Sequence, residues 1–219
     1  AELANLVRPF CGSANDTAHL FGARHIQFVG EGVLAVFVDA SDTHTVNHGQ
    51  RALRAAQGLV EAARGIQQHL AVTYADRQLP RFEAHVALHA GPVTLTVLHD
   101  PLHSPVPQTL PVGDAVSATM LLQHQGRALG WPMVASVTAL RQLTGAVVVG
   151  RRTQVKLPGR SEAMDVAAFR PFQPDRAANG VGVGRKPVEA GALAGNGQVL
   201  LSLEVAGAGV VGFDLERFA

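Results

Sequence analysis

The chain is poor in the residues that usually announce a small cross-linked or metal-built fold: among 219 residues there is one cysteine, Cys11, one tryptophan and one tyrosine. A single cysteine cannot close an internal disulfide. No second Cys or His stands at zinc-motif spacing from it, so a disulfide framework and a zinc module are both unexpected, and a reducing compartment is the economical reading. Charge is equally sparse, at 16% of residues, and balanced: 18 Lys+Arg against 17 Asp+Glu leave a formal +1. No stretch interleaves basic and aromatic residues, so neither nucleic acid nor an anionic membrane surface is an expected partner. No apolar run is long enough to span a bilayer, and the N-terminal residues lack the basic-then-apolar pattern of a secretion signal. The expected setting is cytoplasmic.

What the chain does have is apolar residues, 47% of the total, enough for one sizeable core. Leu3, Leu6, Val7, Phe10, Ala14 and Ala18 recur at helical spacing up to Gly22, a natural C-terminal stop. Residues 24–38 read as two strands joined by the tight turn Gly30-Glu31-Gly32. A second helical pattern runs from Ala52 to about Ala75, with Asp42 as its expected cap. The runs 82–89 and 92–98, hinged at Ala90-Gly91-Pro92, predict a hairpin. Residues 99–111 carry four prolines and predict a loop; Asp114–Gln125 predicts a helix entered through Gly113. Strands near 133–136, 146–149, 154–157 and 164–169, with a short helix after Ser136, complete an α+β alternation. One sheet covered on one face is expected. Three regions follow: a domain over 1–170, a Gly/Ala/Pro-rich linker over 171–197, and an extension over 198–219 built as a β-hairpin from 198–205 and 210–215.

Three segments carry chemistry. His25–Phe37 holds the carboxylate of Glu31 between two glycines. Phe82–Val93 contains Leu88-His89-Ala90-Gly91-Pro92-Val93. Leu110–Ser117 contains Gly113-Asp114-Ala115-Val116-Ser117. In order and spacing these segments resemble the catalytic domain of class III adenylate/guanylate cyclases. The resemblance covers roughly residues 1–170 and implies a ferredoxin-like α/β sandwich. It also implies dimers whose shared sites hold two divalent metals on aspartates and take an Asn and an Arg from the opposite face.

Matched residue by residue, the resemblance implies an eroded site. The first metal aspartate of the family lies on an opening strand that would precede Ala1 and finds no counterpart here. The second matches Glu31, a candidate metal residue that keeps the charge but is longer by a methylene. The base-reading lysine falls near Gln27, the residue three before the glycine is Leu110, and Lys156 matches the lysine of the family's Leu-Lys-Gly region, with Leu157 in place of the glycine; these three are the candidate nucleotide contacts. The Asn and Arg of the downstream helix are Ser117 and Leu121. Leucine cannot donate to a developing phosphorane charge, and such a loss costs on the order of 10²–10³ in rate.

Plainer roles compete at each position. Glu31 suits an exposed hairpin tip, Asp114 suits a helix N-terminus, and Ser117 and Leu121 suit helix packing. His85 and His89 share a strand face, with His99 and His103 beyond them, but their spacing is no zinc signature. Gly180-Val-Gly-Val-Gly184 lacks the strand and helix of a phosphate loop. No Gly-x-Ser-x-Gly elbow occurs. The expected function is therefore a degenerate cyclase-homology module, a pseudoenzyme for dimerisation, regulation or scaffolding in signalling, as a homo- or heterodimer. Two alternatives stand beside it: an active cyclase using Mg²⁺ or Mn²⁺ on ATP or GTP, and a nucleotide sensor without turnover.

Overall fold

A computed structural model describes residues 2–29, 32–38, 46–73, 75, 83–99, 106–143, 145–171 and 199–206. Helix α1 (Glu2–Leu20) ends where Gly22, at φ 75°, lets its own N–H reach the His19 carbonyl and the Ala23 N–H reach that of Ala18. This is the double bond pattern a left-handed glycine permits. The hairpin of β1 (His25–Val29) and β2 (Gly32–Phe37) follows, closed by the pair Val29 and Gly32. Helix α2 (His48–Thr73) is capped by Asn47, whose Oδ1 accepts from the Gln50 N–H at 2.8 Å. Asp42, the cap expected from the sequence, lies outside the described residues.

Strand β3 (Glu83–Ala90) leads toward β4 (Thr94–Leu98), but the two do not pair as the expected hairpin. Strand β4 instead pairs with β5 (Gln108–Val112), a strand inside the segment read as a loop, to make a separate two-stranded ribbon. Helix α3 (Asp114–Ala128), β6 (Met133–Ser136), the short α4 (Val137–Gln142), and the antiparallel pair β7 (Val147–Lys156) and β8 (Ala163–Pro171) follow. The last described strand is β9 (Val199–Ala206).

The main sheet has the order β1-β2-β9-β3-β6-β8-β7. Strand alternation sends Val33, Ala35, Phe37, Val86 and Leu88 to one face, where they join a core cluster with Phe10 and Ala14 of α1, Ala56 and Leu59 of α2, and Ala139 of α4. The opposite face is covered as well. Leu34 and Val36 cluster with Ala115 of α3, and Ala87 and Val134 cluster with Ala118 and Leu122. The expectation of a single covered face is thus corrected. Val33 to Phe37 are buried without a break, the signature of a strand sandwiched between two layers. Each fully buried Leu or Phe among them contributes about 1.5–3 kcal/mol.

Buried Arg51 ties the layers together from α2. Its guanidinium donates to the Gly22 carbonyl at 2.7 Å, past the end of α1, and to the Val38 carbonyl, past the end of β2.

In a ferredoxin-like β-α-β-β-α-β order the first strand is one of the two inner ones. Here α1, the β1–β2 hairpin, α2 and β3 follow in the usual order, while that inner place, between β2 and β3, is taken by β9 from the far end of the chain. Residues 199–206, read from the sequence as part of a separate extension, are built into the middle of the domain's sheet. The other half of the expected hairpin, 210–215, and the linker residues 172–197 lie outside the described residues.

Candidate functional site

The residues singled out by the sequence fall on four parts of the fold. Gln27 sits on edge strand β1, half-buried and opposite Leu34. Its side chain hydrogen-bonds His25, which offsets part of the lowering that burial imposes on the His25 pKa. Leu110 lies on β5 opposite Thr96, half-buried and without a polar group to offer a base. Lys156 ends the other edge strand, β7, and is exposed. With β1 and β7 at opposite edges of seven strands, six strand spacings of about 4.8 Å set the strands of Gln27 and Lys156 roughly 29 Å apart across the sheet. One copy of the chain does not bring them together.

Ser117 and Leu121 occupy successive turns of α3. Ser117 is exposed, whereas Leu121 is half-buried and packs against the cluster of Ala87, Ala118, Leu122 and Trp131. The position where the resemblance expects an arginine is thus part of the hydrophobic packing between α3 and the sheet. Glu31 and Gly30 lie outside the described residues; their neighbours Val29 and Gly32 are paired. Strand β9 places Glu204 at the register position opposite Gly32 on one side and opposite His85 on the other. The sequence reading found no counterpart to the first metal carboxylate. The central strand does carry a carboxylate, in register with the residue that follows Glu31.

Near the start of α3 the structure assembles groups that the sequence reading kept apart. Arg160, in the β7–β8 turn, forms an ion pair with Asp114 and donates to the Asp114 carbonyl at 3.1 Å. Both act where the helix N-terminus already favours a negative charge. Gly91 comes close to the same helix, since a Cβ on it would stand 2.9 Å from the Ala115 Cβ. Beneath lies His89, buried, with Nδ1 at 2.9 Å from Ser136 Oγ. Ser136 Oγ also accepts from the Ala139 N–H at 3.2 Å and lies 2.8 Å from Thr138 Oγ1. Burial, with a smaller push from Arg160 and an opposing pull from Asp114, lowers the His89 pKa to about 4. The imidazole is neutral at pH 7.

This network joins β3, β6 and α4, with His89 and Ser136 buried and Thr138 exposed at its rim. Ser136 is 1% exposed and so is no accessible nucleophile. Strand alternation already put His85 and His89 on one face; the partners of His89, 47 residues away, had no local signal. Among the described residues no group of three or more His, Cys, Asp or Glu side chains is placed to hold a metal.

No protein-family model matches the sequence, and no curated protein matches it. Solved structures do resemble the fold. The guanylyl cyclase Cya2 superposes with a TM-score of 0.62 at 19% identity, over 77% of this chain and 80% of that one. The adenylyl cyclase CyaB from P. aeruginosa gives 0.59 at 15% identity, over 80% and 85%. The guanylate cyclase domain of RhGC from Catenaria anguillulae, solved with GTP, gives 0.57 at 16% identity, over 78% and 85%. The chain therefore has the α+β fold of class III nucleotidyl cyclase domains.

Proposed function

We propose that this chain is a cyclase-homology module that has lost the transition-state half of its chemistry and works by assembly, as a homo- or heterodimer in signalling. The observation that carries this reading is Leu121. An arginine at this place would have to project into a nucleotide cleft, and here the side chain packs on the core cluster instead. Ser117, exposed one turn earlier, offers one hydroxyl in place of a carboxamide. The separation of Gln27 and Lys156 supports the dimer. If both face one nucleotide, they do so from two copies. The β4–β5 ribbon adds exposed apolar surface at Val97, Leu98 and Val112, of the kind that contacts between proteins cover.

The test is turnover. Purified chain with Mg²⁺ or Mn²⁺ and ATP or GTP is expected to form no cyclic nucleotide above a heat-inactivated control, and robust formation would overturn the reading.

A second reading, an active cyclase with a rearranged metal strand, is favoured by the register of Glu204 beside Gly32. Glu31 and Glu204 would be the two carboxylates, a donor set that suits Mg²⁺ or Mn²⁺. The bound metal would polarise the α-phosphate; Gln27 would contact the base and Lys156 a phosphate. Metal-dependent product that disappears in both Glu31→Ala and Glu204→Ala would establish it. A nucleotide sensor without turnover would give heat on titration with ATP or GTP and no product.

A further inference from the structure

Helix α2 outruns its packing. Its buried face extends from His48 to Ala63, and no later residue of the helix is buried, although the apolar spacing continues through Ile66 and Leu70. Beside this second half of the helix lies a cleft of about 450 Å³, bounded by α2, the start of β3 and Pro132, the residue that precedes β6. That volume falls in the range of roughly 300–1,000 Å³ typical of small-molecule sites.

Two small side chains leave the space open. Ala63 of α2 and Ala84 of β3 both line the cleft, and each stops at Cβ where a leucine would fill part of the gap. Val60 and Pro132 extend the apolar lining. Val60 and Ala84 pack on the core cluster under α1 and α2 yet stay half-buried, so an apolar molecule seated here would remove exposed core surface from water.

The polar groups of the lining are not equivalent. Gln67 and Glu83 already have partners within the protein. Arg64 is exposed at the rim and, among the described residues, makes no hydrogen bond or ion pair. A guanidinium presents paired donors that match a carboxylate, and Arg64 brings them to the edge of an apolar wedge. Glu83, in the same lining, would repel an anion of several charges.

We propose that this cleft binds a small amphipathic monocarboxylate, its apolar body between α2 and β3 and its carboxylate on Arg64. The site belongs to the α1–α2 face of the sheet, whereas Ser117 and Leu121 stand on α3 against the other face. The inference is therefore independent of whether the chain turns over nucleotide.

Three ligands of equal chain length and different charge test it on the whole chain: octanoate, 1-octanol and octylammonium, followed by calorimetry and by the melting temperature, below micelle-forming concentrations. Octanoate is expected to bind saturably and roughly fivefold more tightly than octanol, the upper end for an exposed ion pair, with octylammonium weakest. Arg64→Gln, at an exposed position, is expected to leave folding intact and to bring octanoate to the level of octanol. Ala84→Leu is expected to fill the cleft and abolish binding of both. If Ala84→Leu does not fold, the charge series in Arg64→Gln decides. Absence of saturable octanoate binding, equal affinity for the three ligands, octanoate binding that survives Arg64→Gln unchanged, or undiminished binding in a folded Ala84→Leu would each overturn the proposal.

Discussion

His89 and Ser136 are joined inside the protein by a 2.9 Å hydrogen bond between Nδ1 and Oγ, across the neighbouring strands β3 and β6. The same serine oxygen accepts from Ala139 and so caps α4. One hydroxyl thus settles a buried imidazole and starts a helix. Ser136→Ala removes the cap and leaves His89 Nδ1 without its partner, with an expected loss of about 1–3 kcal/mol. Chemical denaturation would measure it; a loss below a few tenths of a kcal/mol would show that the network carries no stability.

The depressed pKa of His89 makes stability depend on pH. With a folded value of about 4 against the ordinary histidine value of 6.5, the unfolded chain takes up a proton that the folded chain refuses throughout that window. Stability is therefore full above about pH 6.5, falls as the pH drops, and levels off below about 4. At 1.36 kcal/mol per unit the ceiling is roughly 3 kcal/mol. His25, also lowered by burial, acts in the same direction. Denaturation at stepped pH tests this, and an NMR titration should show the His89 ring neutral at pH 5.5. A ring already protonated there would contradict the assignment.

Two glycines of α2 should respond oppositely to the same change. A Cβ on Gly49 would stand 2.6 Å from the Gln142 Cβ and 3.0 Å from the Gln142 carbonyl oxygen, and no side-chain rotation relieves the backbone contact. A Cβ on Gly65 meets nothing within 4 Å. Gly65→Ala is expected to stabilise by about 0.5–1 kcal/mol through helix propensity. Gly49→Ala is expected to destabilise by about 1–3 kcal/mol through overpacking. Melting temperatures moving the same way in both variants would refute the α2–α4 contact.

The local parts of the fold were legible because they obey local rules. The His25–Phe37 hairpin showed in two apolar runs around a glycine turn, and α2 in its helical period. Ala90-Gly91-Pro92 misled for a physical reason. Gly91 looks like a turn residue, yet it serves the close approach of Ala115, and β4 finds its partner in β5. Nothing in the pattern of 199–206 says that this strand enters the middle of the sheet, since its partners lie more than a hundred residues upstream. The Asp114–Arg160 pair, 46 residues apart, was out of reach for the same reason. The helix Asp114–Ala128 itself was legible in its apolar spacing, which put Leu121 among packing residues.

Leu121 packs on the core at the place where the resemblance expects an arginine, so its replacement separates the two readings of this chain. In Leu121→Arg the aliphatic stem can still cover part of the cluster around Ala118 and Trp131, but the guanidinium must reach water or remain buried without a partner. The expected cost is about 1–3 kcal/mol in stability, with no cyclic nucleotide formed, since an arginine restored on α3 still faces Ser117 in place of asparagine. Thermal melting and a cyclase assay on the same preparation provide the check. If melting is unchanged and activity emerges with Mn²⁺, Leu121 was a cleft residue all along, and the assembly-module reading falls to the active-enzyme one.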